Sequence, residues 1–165
     1  MVEHVIQIWA GSLQISWNCG EGRSISSGDE IAYIEGDKNA LLSMERPILN
    51  ILGQLSGIAT EAKKWASKAP GQIACTRKTI WGLLDKWAVH LGGGLTHRLN
   101  KEDAKMMKEN DLVTIYPEIE GNGARIVKFL SEVSLDSVGA FLEIETRTEK
   151  EAIMAAFAWS ERRMV

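Results

Sequence analysis

The sequence predicts an α/β fold: a small β-rich lobe, a long helix, and then strands and helices in alternation. Three observations carry that prediction. Between residues 5 and 36, short runs alternate apolar with polar side chains and are broken by glycine and serine turns. From Ala40 to about Ser67 the apolar residues recur at helical spacing instead. Beyond Pro70-Gly71, strand-like and helix-like segments alternate, the pattern of βα units around a parallel sheet.

Each element follows from its residues. Val5 to Trp9 and Leu13 to Trp17 read as strands on either side of a Gly11-Ser12 turn, and Ile31 to Glu35 as a third strand stopped by Gly36. Leu41, Leu42, Ile48, Leu49, Ile51, Leu52, Leu55 and Ile58 mark the long helix. Ser43 is the expected cap, since that start leaves Pro47 near the end of the first turn, where it does less harm. Gln72 to Thr76 is a short strand, and Leu83 to Leu91 a helix stopped by Gly92-Gly93-Gly94. Lys101 to Met107 leads through a turn into a strand at Met106 to Lys108. A helix over Asn122 to Val133, a strand over Ala140 to Glu145 and a helix over Glu149 to Arg162, capped by Thr148, complete the chain. The expected organisation is a lobe with its long helix over residues 1–70 and the βα units over 71–165. About three such units can be counted, against eight in a closed (β/α) barrel. The sheet should therefore keep open edges, and the fold reads as unfinished in a lone copy.

Composition narrows the function classes. The 165 residues are 45% hydrophobic and 25% charged, ordinary for a globular domain with a real core. A net charge of −3 argues against a general nucleic-acid binder but leaves room for a local basic pocket. Cys19 and Cys75 stand far apart, which excludes a cysteine-rich zinc site and fits a reducing cytosol. The N-terminal residues lack a basic region followed by an apolar run, so no signal peptide is expected. The apolar run Ala152 to Trp159 is far short of the ~20 residues that span a bilayer. The expectation is a cytoplasmic protein with neither nucleic-acid nor membrane partners.

The residues that could carry chemistry are mostly cationic. Arg77 and Lys78 sit where a strand ends, and ligands of parallel α/β folds bind at such ends. Arg presents a planar fork to a carboxylate or phosphate, and Lys a compact point charge. A solvated surface pair is the plainer interpretation of Arg77-Lys78. Gly92-Gly93-Gly94 permits close approach of backbone to a ligand, or simply stops a helix; His97-Arg98 directly after it makes a compact cationic loop. Lys108 falls at another strand end, and Glu143 and Glu145 share one face of a strand. No Ser/His/Asp arrangement or His/Cys metal cluster is present, and Cys75 reads as part of a strand rather than a nucleophile.

Four blocks, in order and spacing, resemble the quinolinate phosphoribosyltransferase family, also called nicotinate-nucleotide pyrophosphorylase (carboxylating). They are Glu45-Arg46 with Asn50 and Leu55-Ser56-Gly57-Ile58-Ala59-Thr60; Thr76-Arg77-Lys78-Thr79; Gly92-Gly93-Gly94 with His97-Arg98-Leu99; and Lys108-Glu109-Asn110. The resemblance implies a small lobe with a long helix followed by a partial α/β barrel. It implies transfer of phosphoribose from phosphoribosyl pyrophosphate to quinolinate with decarboxylation, giving nicotinate mononucleotide for NAD biosynthesis, assisted by Mg²⁺. Arg77, His97, Arg98 and Lys108 match family positions that bind the quinolinate carboxylates or the phosphoribosyl donor. Lys78 and Lys108 match active-site lysines, and Glu143 a glutamate near the ribose and metal. Arg46 matches an arginine that reaches into a neighbouring subunit's site, which implies a homodimer or larger assembly.

The chain also departs from the family pattern. Cys75 stands where the family usually has Asp, Asp111 where it usually has His, and Pro47 is unusual in its helix. Family members begin upstream of Met1 and continue beyond Val165, so a second chain completing the barrel is one expectation. Two alternatives stay open beside the full reaction. One is a non-catalytic anion-binding or assembly module; the other is a phosphoribosyltransferase paralogue acting on a different acid.

Overall fold

The computed structural model describes residues 1–162. They form two compact units, Met1–His97 and a second that begins at Arg98. Each has its own apolar cluster.

The first unit opens with a correction. Residues 5–9 are not a strand but the end of helix α1 (Val2–Trp9). Val2 and Ile6, four apart, are buried, while Ile8 and Trp9 face solvent. A strand would have put Ile6 and Ile8 on one face. Strand β1 (Gln14–Trp17) then pairs antiparallel with β2 (Ala32–Glu35), with Ile15 opposite Ile34. Their inward side chains pack on a core of Val2, Ile6, Ala10, Leu13, Met44 and Ile48. The Trp17 indole N–H donates to Glu3 Oε1 at 2.6 Å, tying the sheet to α1.

Helix α2 (Lys38–Lys68) starts five residues before Ser43, so Ser43 is not its cap. Asp37 is: its Oδ1 accepts the N–H groups of Asn39 and Ala40 at 3.0 and 2.9 Å, satisfying donors that the helix leaves unpaired. Pro47 therefore lies well inside the helix. It removes one rung of the ladder, a loss of ~3 kcal/mol in an isolated helix; burial of Met44 and Ile48 beside it offsets that loss. Further along the same stripe Ala62 and Ala66 are buried, and here helix α3 (Leu83–Leu91) packs on α2. The α3 boundaries match the sequence expectation. The strand expected over 72–76 shrinks to a single parallel bridge between Ala74 and Leu95. Cys75 N–H donates to the Leu95 carbonyl, and Leu95 N–H to that of Ile73, each at 2.8 Å.

The second unit is built on a parallel pair, β3 (Lys105–Met107) and β4 (Leu142–Ile144), with Lys105 opposite Leu142. Helices α4 (Glu109–Ile115), α5 (Asn122–Glu132) and α6 (Glu149–Arg162) accompany it. Met107, Leu112, Ile126, Phe129, Leu130, Val133 and Val138 make the core, in which Leu112 and Ile126 are wholly buried. Helix α4 was not expected from the sequence. Thr148 caps α6 as expected, its hydroxyl accepting the Glu151 N–H at 3.2 Å. Among the described residues each sheet has two strands and no barrel closes. No helix among them is long and apolar enough to cross a membrane.

Glu151 gives a pH prediction. Its carboxylate accepts the Arg147 N–H at 2.8 Å and the Asn122 amide at 3.1 Å. The Arg147 bond most of all, then the Asn122 bond, holds its pKa below the ordinary glutamate value. A pKa lowered in the folded state means stability that is complete above the unfolded value and lost as pH falls through the folded one. The expected result is that Glu151→Gln flattens the fall in thermal stability below pH 4.5, the ordinary value for a glutamate. An unchanged acid profile in a series of melting curves counts against this bond network.

Candidate functional site

The first unit carries Arg46, Arg77, Lys78 and His97; the second carries Arg98, Lys108 and Glu143. Arg46 is exposed on α2, two residues from each of buried Met44 and Ile48, and so on a face the core does not use.

Arg77 and Lys78 lie on the loop between the Ala74 bridge and α3, both exposed. Local bonds shape that loop. The Thr76 hydroxyl accepts the Lys78 N–H at 3.1 Å. Asp85, in the first turn of α3, reaches back so that its Oδ2 accepts the N–H groups of Ile80 and Trp81 at 2.8 and 2.9 Å. Cys75, where the family pattern usually has Asp, is half-buried, and its thiol donates to the Thr76 carbonyl at 3.2 Å. The other loop of this unit follows Leu95, the partner of the Ala74 bridge, and carries His97. His97 is the one non-glycine among the described residues with a left-handed backbone, φ 58°, a conformation that persists only where its surroundings hold it.

The glycines of this loop pack against protein. A Cβ on Gly92 would lie 2.4 Å from the Ala59 carbonyl oxygen and 2.7 Å from Ala62 Cβ, so this residue lets the end of α3 meet the α2 backbone. Gly93 turns the chain with φ 88°. A Cβ on Gly94 would meet Val89 Cγ1 at 2.6 Å. Helix stop and close packing explain the triplet, and the loop's cationic character rests on the residues after it.

In the second unit, Arg98 is 7% exposed. Its Nη1 donates to the Ala104 carbonyl at 3.1 Å, and its Nη2 lies 3.4 Å from Met106 Sδ. The guanidinium thus packs along β3 as well as offering a charge. Lys108 follows β3 directly and starts α4, with its side chain exposed. Its N–H donates to Asp111 Oδ2 at 3.0 Å. Asp111, the other departure from the family pattern, thereby fixes the backbone from which Lys108 projects, in the manner of a capping box. Glu143 is half-buried on β4, opposite Met106. Glu145 lies past the end of β4 and is exposed; its N–H continues the ladder to the Met107 carbonyl at 2.9 Å. Lys108 and Glu143 therefore come from neighbouring parallel strands, Lys108 at a carboxyl end.

Sequence reasoning passed over Asp85 and Lys86, each 5% exposed. Lys86 Nζ donates to the Thr96 carbonyl at 2.8 Å. The available signal was two opposite charges side by side at the start of a helix that runs from one cationic loop to the next. Among the described residues no three His, Cys, Asp or Glu side chains are grouped to hold a metal ion.

Known proteins match this chain along nearly all its length. The model of the quinolinate phosphoribosyl transferase N-terminal domain matches residues 2–56, and that of the C-terminal domain residues 58–161. A quinolinate phosphoribosyltransferase [decarboxylating] of Nicotiana tabacum is 33% identical over 144 residues, 85% of this chain and 40% of the relative. A probable nicotinate-nucleotide pyrophosphorylase [carboxylating] of Methanothermobacter thermautotrophicus is 34% identical over 157 residues, 89% of this chain and 52% of the relative. The solved nicotinate-nucleotide pyrophosphorylase of Francisella tularensis superposes with a TM-score of 0.72 at 30% identity, covering 95% of this chain and 55% of that one. The chain thus spans about half the length of the relatives it matches. With both domain models matched in order over residues 2–161, it belongs to the quinolinate phosphoribosyl transferase family.

Proposed function

We propose that this chain carries the acid-binding part of a site that joins quinolinate to phosphoribosyl pyrophosphate, giving nicotinate mononucleotide, pyrophosphate and carbon dioxide in NAD biosynthesis. The observation that carries the proposal is the placement of Arg77, Lys78 and Lys108, exposed, on loops that follow bridge or strand ends in a chain matched by both family models. In this reading Arg77, His97, Arg98 and Lys108 bind the quinolinate carboxylates or the phosphoribosyl donor, Lys78 is a further active-site lysine, and Glu143 lies near the ribose. Arg46, exposed on α2, acts in the site of a second copy, so the active form is a homodimer or larger. In this reading residues 1–70 are the partial lobe domain and 71–165 the partial barrel, and the working compartment is the cytoplasm.

The chemistry suits fixed cations. The bond from ribose C1′ to pyrophosphate breaks, leaving oxocarbenium-like charge on the sugar, and the pyridine nitrogen bonds to C1′. The bond from the ring to its adjacent carboxyl group then breaks. Carbon dioxide leaves, its bonding electron pair stays on the ring carbon, and that carbon takes a proton. Two polyanions must be held close together throughout, and preorganised Arg, Lys and His side chains permit this without reorganisation at the moment of reaction. Mg²⁺ assists the family reaction as a companion of the donor's pyrophosphate. The described residues do not group as a metal site of their own, and no step here is routed through the ion.

Incubation with quinolinate, phosphoribosyl pyrophosphate and Mg²⁺ is the test. Nicotinate mononucleotide and carbon dioxide formed in proportion to protein support the full reaction. Saturable quinolinate binding with neither product nor donor binding favours the binding-module alternative. Preference for another aromatic acid over quinolinate favours the paralogue, and absence of both binding and product contradicts the proposal.

A further inference from the structure

The structure assigns Asp85 and Lys86 as positioning residues: a buried acid and base at the start of α3 that preset the two cationic loops of the first unit. This inference rests on the proposed function for what the loops bind.

Both side chains are 5% exposed. Burying charge is unfavourable unless it is matched by close polar partners, yet two of the three buried residues of α3 are Asp85 and Lys86, beside Ala88. Each charge meets the backbone of a different loop. The Asp85 carboxylate gathers the N–H groups of Ile80 and Trp81 at 2.8 and 2.9 Å, closing the loop that carries Arg77 and Lys78. Lys86 Nζ grips the Thr96 carbonyl at 2.8 Å, one residue before His97 and its left-handed backbone. At their bases the same two loops are joined by the Ala74–Leu95 bridge. The bridge fixes where the loops leave the fold, and the acid–base pair fixes where they point. A single helical turn thus sets the directions of Arg77, Lys78 and His97 together. Hydrogen bonds to a charged partner are short and directional, which suits this task better than apolar contact would.

The prediction separates positioning from mere stability. Asp85→Ala and Lys86→Met are expected to lower the melting temperature of the first unit, since each removes charge-assisted hydrogen bonds, while leaving it folded at the assay temperature. They should weaken quinolinate binding at least about tenfold, because the cations of the two loops are no longer held in advance. Asp85→Asn keeps a carbonyl acceptor for the two N–H groups and is expected to stay within about threefold of the wild type. Amide hydrogen exchange at Ile80 and Trp81 should rise about tenfold or more in Asp85→Ala, with α2 exchange unchanged and Asp85→Asn again near wild type. Folded variants that bind quinolinate as the wild type does, or that leave exchange at Ile80 and Trp81 unaltered, overturn the assignment. If the wild-type chain itself binds no quinolinate, the proposed function falls, and the exchange rates alone then decide the positioning role: a rise confined to the loop supports it and no rise overturns it.

Discussion

Arg77→Ala and Arg98→Ala are expected to weaken quinolinate binding to a similar extent while differing in what they do to the fold. On the proposed function, each removes one charged, planar donor from an anion with two carboxylates. A charge-assisted hydrogen bond contributes ~1.5–3 kcal/mol, so calorimetric titration should read a loss of about tenfold or more in either variant. Arg77 is exposed on its loop, and removing it should leave the melting curve unchanged. Arg98 is buried, with Nη1 on the Ala104 carbonyl. Its truncation strips a buried carbonyl of a donor and opens space beside β3, an expected cost of ~2–3 kcal/mol. Equal stability of the two variants, or an Arg77→Ala protein that binds quinolinate unchanged, would contradict these roles.

Gly92→Ala is expected to be strongly destabilising. The added methyl meets the Ala59 carbonyl oxygen at 2.4 Å and Lys63 N at 3.0 Å, and these are backbone atoms that cannot swing aside. Overpacking of this kind costs ~1–3 kcal/mol where side chains yield, and the rigid partners here place the effect at about 3 kcal/mol or more. For a unit of this size that is a fall of at least ~10 °C in melting temperature. Gly53 is the control. It lies within α2 with nothing inside 4 Å of an added Cβ, so Gly53→Ala should stabilise by about 0.5–1 kcal/mol through better helix propensity. Thermal denaturation of the two variants side by side checks both signs.

Much of the fold was legible because periodicity and burial agree in it. Leu83 to Leu91 has helical spacing and a glycine stop, and α3 has those bounds. Ile15, Trp17 and Ile34 alternate with polar residues, and they face the core from β1 and β2. Where patterns were short, they misled. Val5 to Trp9 is rich in β-branched and aromatic residues and suits a strand locally; the contacts of Val2 and Ile6 with Met44 and Ile48, distant in sequence, make it a helix. Helix α4 is not legible in the sequence because it spans only seven residues and its start signal, Asp111 accepting the Lys108 N–H, coincides with a departure from a family motif. A cap at Ser43 would spare Pro47 from the helix interior, a local rule that the buried stripe of α2 overrides.

The candidate site was legible as charge and not as support. Arg77, Lys78, His97, Arg98 and Lys108 stand out in sequence because strand ends and glycine turns rarely collect cations for packing. What sequence did not reveal is how each is held. Asp85 and Lys86 act on backbone groups five and ten residues away, and backbone partners leave no trace in a residue pattern. The burial of Arg98 against Ala104 was equally hidden.

The most direct test of the central claim, that this chain binds a pyridine dicarboxylate through its cationic loops, is a pair of calorimetric titrations with quinolinate and with nicotinate at low salt. Quinolinate carries a second carboxylate for the cations to hold, so it is predicted to bind saturably and at least about tenfold more tightly than nicotinate, the preference weakening as salt screens the charges. Equal affinity for the two acids, or no saturable heat with quinolinate, would contradict the claim.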